Sequence, residues 1–305
     1  MRLATFPVLV AVTAAVLVGC SSDDTSSSGP TTAPADPTTT TAAAADPLAG
    51  EFARLEDDYA ARLGVYAVDT GTGETVEYRA DERFAYASTH KVFSAAAVLQ
   101  DSTAADLDEV IRYEAGDIVG YSPVTEAHID TGMTLLEVIR AAITVSDNTA
   151  ANLLFEQLGG PDALEASLRA VGDDTTSVDR VEPGLSEWAP GETRDTSTPR
   201  AMAENLEAFA LGSALDEDDR AVLVDALRDN TTGDELIRAG VPDGWAVGDK
   251  TGSSEHGGRN STPRPSPTRR SSPKPPKSHS TSSPADELIA HTRTSPQPIP
   301  WKWVV

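Results

Sequence analysis

A single cysteine, Cys20, stands in 305 residues. Without a second there is no internal disulfide and no cysteine-based metal site, so a folded domain here rests on its core alone. Positive charge is also scarce: 24 Lys and Arg against 48 Asp and Glu, a net charge of −24. Binding phosphate needs a basic face, which argues against nucleic acid as a partner. The charge favours a soluble, self-repelling exported protein. The histidines, at 90, 128, 256, 279 and 291, show no H-x-H-x-D spacing, which argues against a zinc hydrolase. No G-x-S-x-G elbow marks a His-based serine hydrolase. No internal repeat is found.

What is present starts at the N-terminus. Arg2 precedes about 15 apolar or small residues and then LVGC at 17–20. The run is too short to span a bilayer comfortably and has the layout of an export signal. Residues 1–20 resemble a bacterial lipoprotein signal, in which the Cys of an L-x-G-C box is lipidated. That resemblance implies a membrane anchor at Cys20 on the outer face, with a simply cleaved secretory signal as the alternative. Residues 21–47 are Ser, Thr, Ala, Pro and Asp with almost nothing to bury, and read as a disordered linker. The globular pattern covers 48–260. Phe52, Leu55, Tyr59 and Leu63 recur at helical spacing. GVYAVDTGTGETVEYRA reads as a hairpin around a Thr-Gly-Thr-Gly turn. The middle of the chain carries the 3.6-residue period, with Gly159 and Gly172 stopping two helices. GWAVGDKTGSS, 244–254, reads as a late strand. Strands, then helices, then strands again suggest an α+β fold: an antiparallel sheet carrying a separate helical part.

Within 83–94, RFAYASTHKVFS, Ser88 and Lys91 lie one helical turn apart. The pair alone decides little, since Ser is a favoured helix cap and Ser271 with Lys274 repeats the pattern in a Pro-rich tail. Three further stretches change that. Ser146-Asp147-Asn148 follows between two helices, Lys250-Thr251-Gly252 lies on the late strand, and Glu182 sits in a Pro/Gly-rich loop bracketed by Arg180 and Asp195. This ordered set is the one known for serine β-lactamases and penicillin-binding proteins. From about 48 to 260 the chain resembles a class A β-lactamase.

The chemistry of these residue types is coherent. A serine hydroxyl is a poor nucleophile until a neighbour takes its proton. A helix N-terminus places a backbone N–H and the helix dipole beside developing negative charge. Lys91 must be neutral to accept a proton, and burial near Lys250 is expected to lower its pKa. The resemblance implies the remaining roles. Ser146 would relay a proton to the β-lactam nitrogen, and Asn148 would hold the substrate amide. Lys250, Thr251 and Arg259 would bind the substrate carboxylate. The Lys-Thr-Gly run ends at Gly252, and Ser253 would give the second oxyanion N–H. Tyr121 would wall the cleft, with core packing as its plainer reading. Glu182, held by Arg180 and Asp195, would activate water against the acyl-enzyme. Asp147 reads as structural, a buried acid ordering a turn. Where the family usually has Asn, Ser186 stands, and slower or altered deacylation is expected. No cofactor or metal is implied, the partner is a small β-lactam, and a monomer is expected.

The tail, 261–305, departs from the pattern. It holds 10 prolines, 7 Lys or Arg and 2 Asp or Glu, a net of +5, so the other 260 residues carry −29. The family should continue there with central strands, from which proline is excluded. Only ADELIAHTR, 285–293, is helix-like. Preserved length with altered chemistry is what a shifted reading frame produces, and it puts the late central strands in doubt. Two alternatives to a β-lactamase stay open: a penicillin-binding or D,D-peptidase-like acyl-enzyme former, and an inactive surface lipoprotein.

Overall fold

The computed structural model describes residues 47–242, 244–254, 259–260 and 302–304. Cys20, the signal, the linker as far as residue 46, the side chain of Arg259 and the tail through residue 301 lie outside the described residues. So does the helix expected at 285–293.

The chain enters through helix α1 (Pro47–Tyr59), which takes in the last residue assigned to the linker. Strands β1 (Val65–Asp69) and β2 (Thr75–Tyr78) form the expected hairpin, with Val65 opposite Tyr78 and Val68 opposite Thr75. Gly73 takes the left-handed φ of 77° that its turn requires. β3 (Phe84–Ala85) leads to α2 (Lys91–Asp101), α3 (Ala104–Leu107) and the short pair β4 (Val110–Ile111) and β5 (Met133–Thr134). Then come α4 (Leu135–Thr144), α5 (Asn148–Leu158) and α6 (Pro161–Ala170). β6 (Thr196–Ser197) pairs with β3, and α7 (Pro199–Ala210), α8 (Glu217–Arg228) and α9 (Ile237–Gly240) follow. Among these described residues no helix is long and apolar enough to cross a membrane.

Helix α2 is the centre of the core. Every residue from Lys91 to Leu99 is buried, as expected of a helix apolar all round. The run Ala95-Ala96-Ala97 lets its neighbours approach closely. Ile139 and Ile143 of α4, Leu154 and Phe155 of α5, Leu164 of α6, Phe209 of α7 and Leu223 and Leu227 of α8 share its cluster. Truncating any of these large side chains to Ala costs about 2–5 kcal/mol. The N-terminal end of α2, which the turn carrying Ser88 enters, is therefore fixed by the best-packed part of the molecule.

The late strand is much shorter than expected. Only β7 (Gly252–Ser253) forms a ladder, with β8 (Arg259–Asn260), and 244–251 is irregular. The reason is visible in its partners. The Asp249 N–H donates to the Leu227 carbonyl at the end of α8, and the Asp249 side chain is held by Arg238 and Asn230. The backbone is tied to the helical side instead of to a neighbouring strand. In the tail, whose late strands the sequence put in doubt, one short strand forms: β9 (Lys302–Val304) pairs antiparallel with β1, Ala67 opposite Val304 and Asp69 opposite Lys302. Among the described residues, β2-β1-β9 is the widest sheet.

Candidate active site

A 3-10 turn, Ala87–His90, delivers the chain from β3 into α2. Ala87 holds a left-handed φ of 45°, a conformation costing about 1 kcal/mol or more. The Thr89 N–H and hydroxyl both donate to the Tyr86 carbonyl and lock the turn. Neither the turn nor α2 carries a side-chain capping bond, so Ser88 is not spent as a helix cap. Its half-buried hydroxyl donates instead to Glu182 Oε1 at 3.3 Å.

Lys91 is fully buried one turn on. Its Nζ donates to the Ser146 carbonyl at 2.9 Å and to Asn148 Oδ1 at 2.5 Å, and stands 3.5 Å from Glu182 Oε1. Burial pulls its pKa down to about 8, while the Glu182 charge pulls upward. The expected lowering by burial holds, whereas the expected contribution of the Lys250 charge does not appear. Lys250 is itself driven well below the usual lysine range, by burial first and by the Lys91 charge second. Its Nζ donates to Ser146 Oγ at 2.9 Å and to the Thr251 carbonyl at 2.7 Å.

Ser146 meets both lysines because the chain turns sharply between α4 and α5. Its φ is 62°, left-handed and uncommon for a serine. Asp147 secures that turn from the inside, as its reading as a structural acid requires. It caps α5 through the Ala150 N–H and accepts from the Val124 and Thr125 N–H groups and the Thr125 hydroxyl. Asn148 points its amide oxygen at Lys91 and its NH2 at the Gly120 carbonyl. Tyr121 is not core: it is 63% exposed, at φ 61°, with its carbonyl accepting from the Asn148 N–H.

Glu182 is buried on a loop held from several sides. Burial would raise its pKa, but His90, Lys91 and the Ser186 hydroxyl outweigh that and hold it at about 2. Ser186 Oγ donates to Oε2 at 3.0 Å. Arg180 pairs with the buried Asp195, which also accepts from the Asp179 and Arg180 N–H groups. Leu185 is buried as the apolar anchor.

The β7 edge closes the site. A Cβ on Gly252 would stand 2.7 Å from the Tyr86 carbonyl and 3.2 Å from the Thr89 nitrogen, so only glycine lets this strand lie against the Ser88 turn. Thr251 Oγ1 is 2.5 Å from Thr232 Oγ1. Ser253 is exposed and pairs with Arg259, and the neighbouring Ser254 hydroxyl contacts the Ser186 carbonyl. Three groups escaped the sequence reading. Asn152 clamps the Glu182 backbone on both sides, at 2.9 Å each, and could have been found as the residue one turn beyond Asn148 on the same face of α5. The Asp249–Arg238 pair braces the Lys250 segment, and no local pattern announces it. His90 sets its Nε2 3.6 Å from Glu182 Oε1, again without a spacing signal.

A serine at a helix N-terminus, sharing one buried carboxylate oxygen with a buried lysine, defines a serine hydrolase working by acyl transfer. Residues 47–261 match the Beta-lactamase enzyme family. A beta-lactamase of Amycolatopsis lactamdurans is 60% identical over 210 residues, 69% of this chain and 70% of that one. The carbapenem-hydrolyzing beta-lactamase KPC of Klebsiella oxytoca is 52% identical over 207 residues, 67% and 71% of the two chains. Among solved structures, a class A beta-lactamase from Clostridium kluyveri superposes with a TM-score of 0.67 at 46% identity, covering 68% of this chain and 79% of that one. This chain belongs to the class A serine β-lactamases.

Proposed function

We propose that the protein hydrolyses the β-lactam amide of penicillins and cephalosporins through an acyl-enzyme on Ser88, and so confers antibiotic resistance. The observation carrying this is Glu182, whose Oε1 faces both Ser88 and Lys91 while Oε2 is held by Ser186. In acylation, Ser88 Oγ bonds to the carbonyl carbon and its proton passes to Lys91, which acts as the neutral base. The Ser88 and Ser253 N–H groups receive the oxyanion. The ring C–N bond then breaks, and Lys91 hands that proton on through Ser146, which Lys250 also flanks, to the nitrogen, so Lys91 is neutral again and Glu182 stays a carboxylate. In deacylation, water adds to the ester carbon and gives its proton to Glu182. The C–Oγ bond breaks and Ser88 recovers its proton, for a net consumption of one water. Lys250, Thr251 and Arg259 are assigned to the substrate carboxylate, Asn148 to its amide, Tyr121 to the wall of the cleft. A penicillin binder that stays acylated has no use for Glu182 and Ser186 beside the nucleophile. On the strength of the LVGC box we place the enzyme outside the cell, anchored through lipidated Cys20 and the linker that follows it.

Hydrolysis of a chromogenic cephalosporin by the full chain is the test, beside Ser88→Ala and Glu182→Gln. Turnover is expected in the parent and none in Ser88→Ala. Glu182→Gln should accumulate an intact acyl-enzyme visible by mass spectrometry. Turnover that survives Ser88→Ala would overturn the assignment.

A further inference from the structure

His90 stands between the nucleophile and Lys91 in sequence and has no part in the reaction above. Its ring is buried and stacks on Phe155, centroids 5.2 Å apart and planes 19° from parallel. Nδ1 lies 2.9 Å from Ser94 Oγ. Nε2 is buried without a partner at ordinary hydrogen-bond distance and faces Glu182 Oε1 at 3.6 Å. The Ser94 hydroxyl has one proton and two acceptors within reach, Nδ1 at 2.9 Å and the His90 carbonyl at 3.3 Å. Given to the carbonyl, that proton leaves Nδ1 as the protonated ring nitrogen and sets a bare Nε2 lone pair against a buried carboxylate. Given to Nδ1, at the shorter distance, it leaves the ring proton on Nε2, aimed at Oε1.

Resting on the proposed hydrolysis, we propose that His90 is a positioning residue for the deacylation step: a neutral imidazole, protonated on Nε2, that steers Glu182 Oε1 toward the attacking water. The charges facing the ring are Glu182 from its loop, Lys91 from α2 and Lys250 from the β7 segment; the Tyr86 ring lies 6.1 Å away. Burial and the two lysines keep the ring neutral, against the pull of Glu182. Ser94 sets the tautomer and Phe155 sets the ring plane, so the donor reaches the carboxylate already oriented.

Two measurements on the full chain test this. The 15N shifts of labelled histidine, with the His90 signals assigned by their loss in His90→Gln, should show the Nε2-protonated tautomer unchanged from pH 5.5 to 8, a window around the ordinary histidine pKa of about 6.5. An Nδ1-protonated ring, or an imidazolium at neutral pH, overturns the proposal. In kinetics, His90→Phe keeps an aromatic ring against Phe155 and removes the donor. Decay of its acyl-enzyme should slow on the order of tenfold, as Glu182 Oε1 loses the N–H dipole aimed at it from 3.6 Å in a buried site. The low-pH edge of that decay should move upward, because Glu182 loses a donor to its ionised form. The acylation rate should change far less, and His90→Gln, which carries an NH2, should recover part of the loss. Decay at the parent rate with an unmoved edge reduces His90 to packing. If no acyl-enzyme forms even in the parent, the proposed reaction fails, while the tautomer measurement still judges His90.

Discussion

Asp147 is the perturbation whose outcome separates structure from chemistry most sharply. It is fully buried and accepts four hydrogen bonds, from two backbone N–H groups and a hydroxyl of the 124–125 segment and from the Ala150 N–H. Asp147→Ala strands those donors in a space too small to hydrate them all. At about 1–3 kcal/mol per unsatisfied buried donor the sum is large, and partial relaxation brings the expected cost to about 4–5 kcal/mol. For a domain of this size that is a fall in Tm of about 10–15 °C. Asp147→Asn is milder. Its oxygen can serve the Val124 and Thr125 N–H groups, and its NH2 can donate to the Thr125 hydroxyl. The NH2 then meets the Ala150 N–H, donor against donor, so about 1–3 kcal/mol is lost. The expected order of melting by circular dichroism is parent, then Asn, then Ala, with hydrolysis falling in parallel because Ser146 loses its left-handed turn. An Asp147→Ala protein that melts with the parent yet cannot hydrolyse a cephalosporin would refute the structural assignment and make Asp147 a chemical group.

Further outcomes follow from the same geometry. Ser186→Asn should speed acyl-enzyme decay and Ser186→Ala should slow it by about tenfold, one hydrogen bond to Glu182, measured by single-turnover spectroscopy. With Glu182 held at about 2 and Lys91 at about 8, an acylation rate level from pH 5 to 7 is expected if Glu182 takes the Ser88 proton; a rate rising through pH 8 gives that role to Lys91. Lys91 also shapes stability: between pH 8 and the ordinary lysine value of 10.5 the unfolded chain binds the proton that the folded chain has lost. Stability at this group therefore rises with pH across that window, and Lys91→Met should remove that rise from urea melts. Gly233→Ala, whose Cβ would collide with the Asp249 carboxylate, should raise KM for the cephalosporin more than it lowers kcat.

The site was legible where chemistry is written in short spacings. Ser88 with Lys91, the Ser146–Asn148 turn and Glu182 between Arg180 and Asp195 stand together in space because each sits at an element boundary, the second marked in the chain by Asp147 and the third by Pro183 and Gly184. Both glycine stops hold: Gly159 and Gly172 take φ of 93° and 101° just past α5 and α6. The expected strand at 244–254 is reduced to Gly252–Ser253 for a physical reason. Alternation reports a face, not a partner, and the partners here are the end of α8 and the Arg238 side chain. β9 was hidden among prolines, since three residues are too few for a period. His90 was invisible because one histidine on a buried helix face carries no spacing at all.

The bracing of Lys250 from the helical side has an evolutionary reach. The Asn230, Thr232 and Arg238 side chains stand between the end of α8 and the Lys250–Thr251 edge, proposed above to take the substrate carboxylate, and none of them faces the Ser88 hydroxyl. Inherited changes across 227–238 would therefore surface as altered drug preference before they surfaced as lost catalysis. Selection by a new antibiotic has a dial there that leaves the nucleophile and its water-activating carboxylate alone.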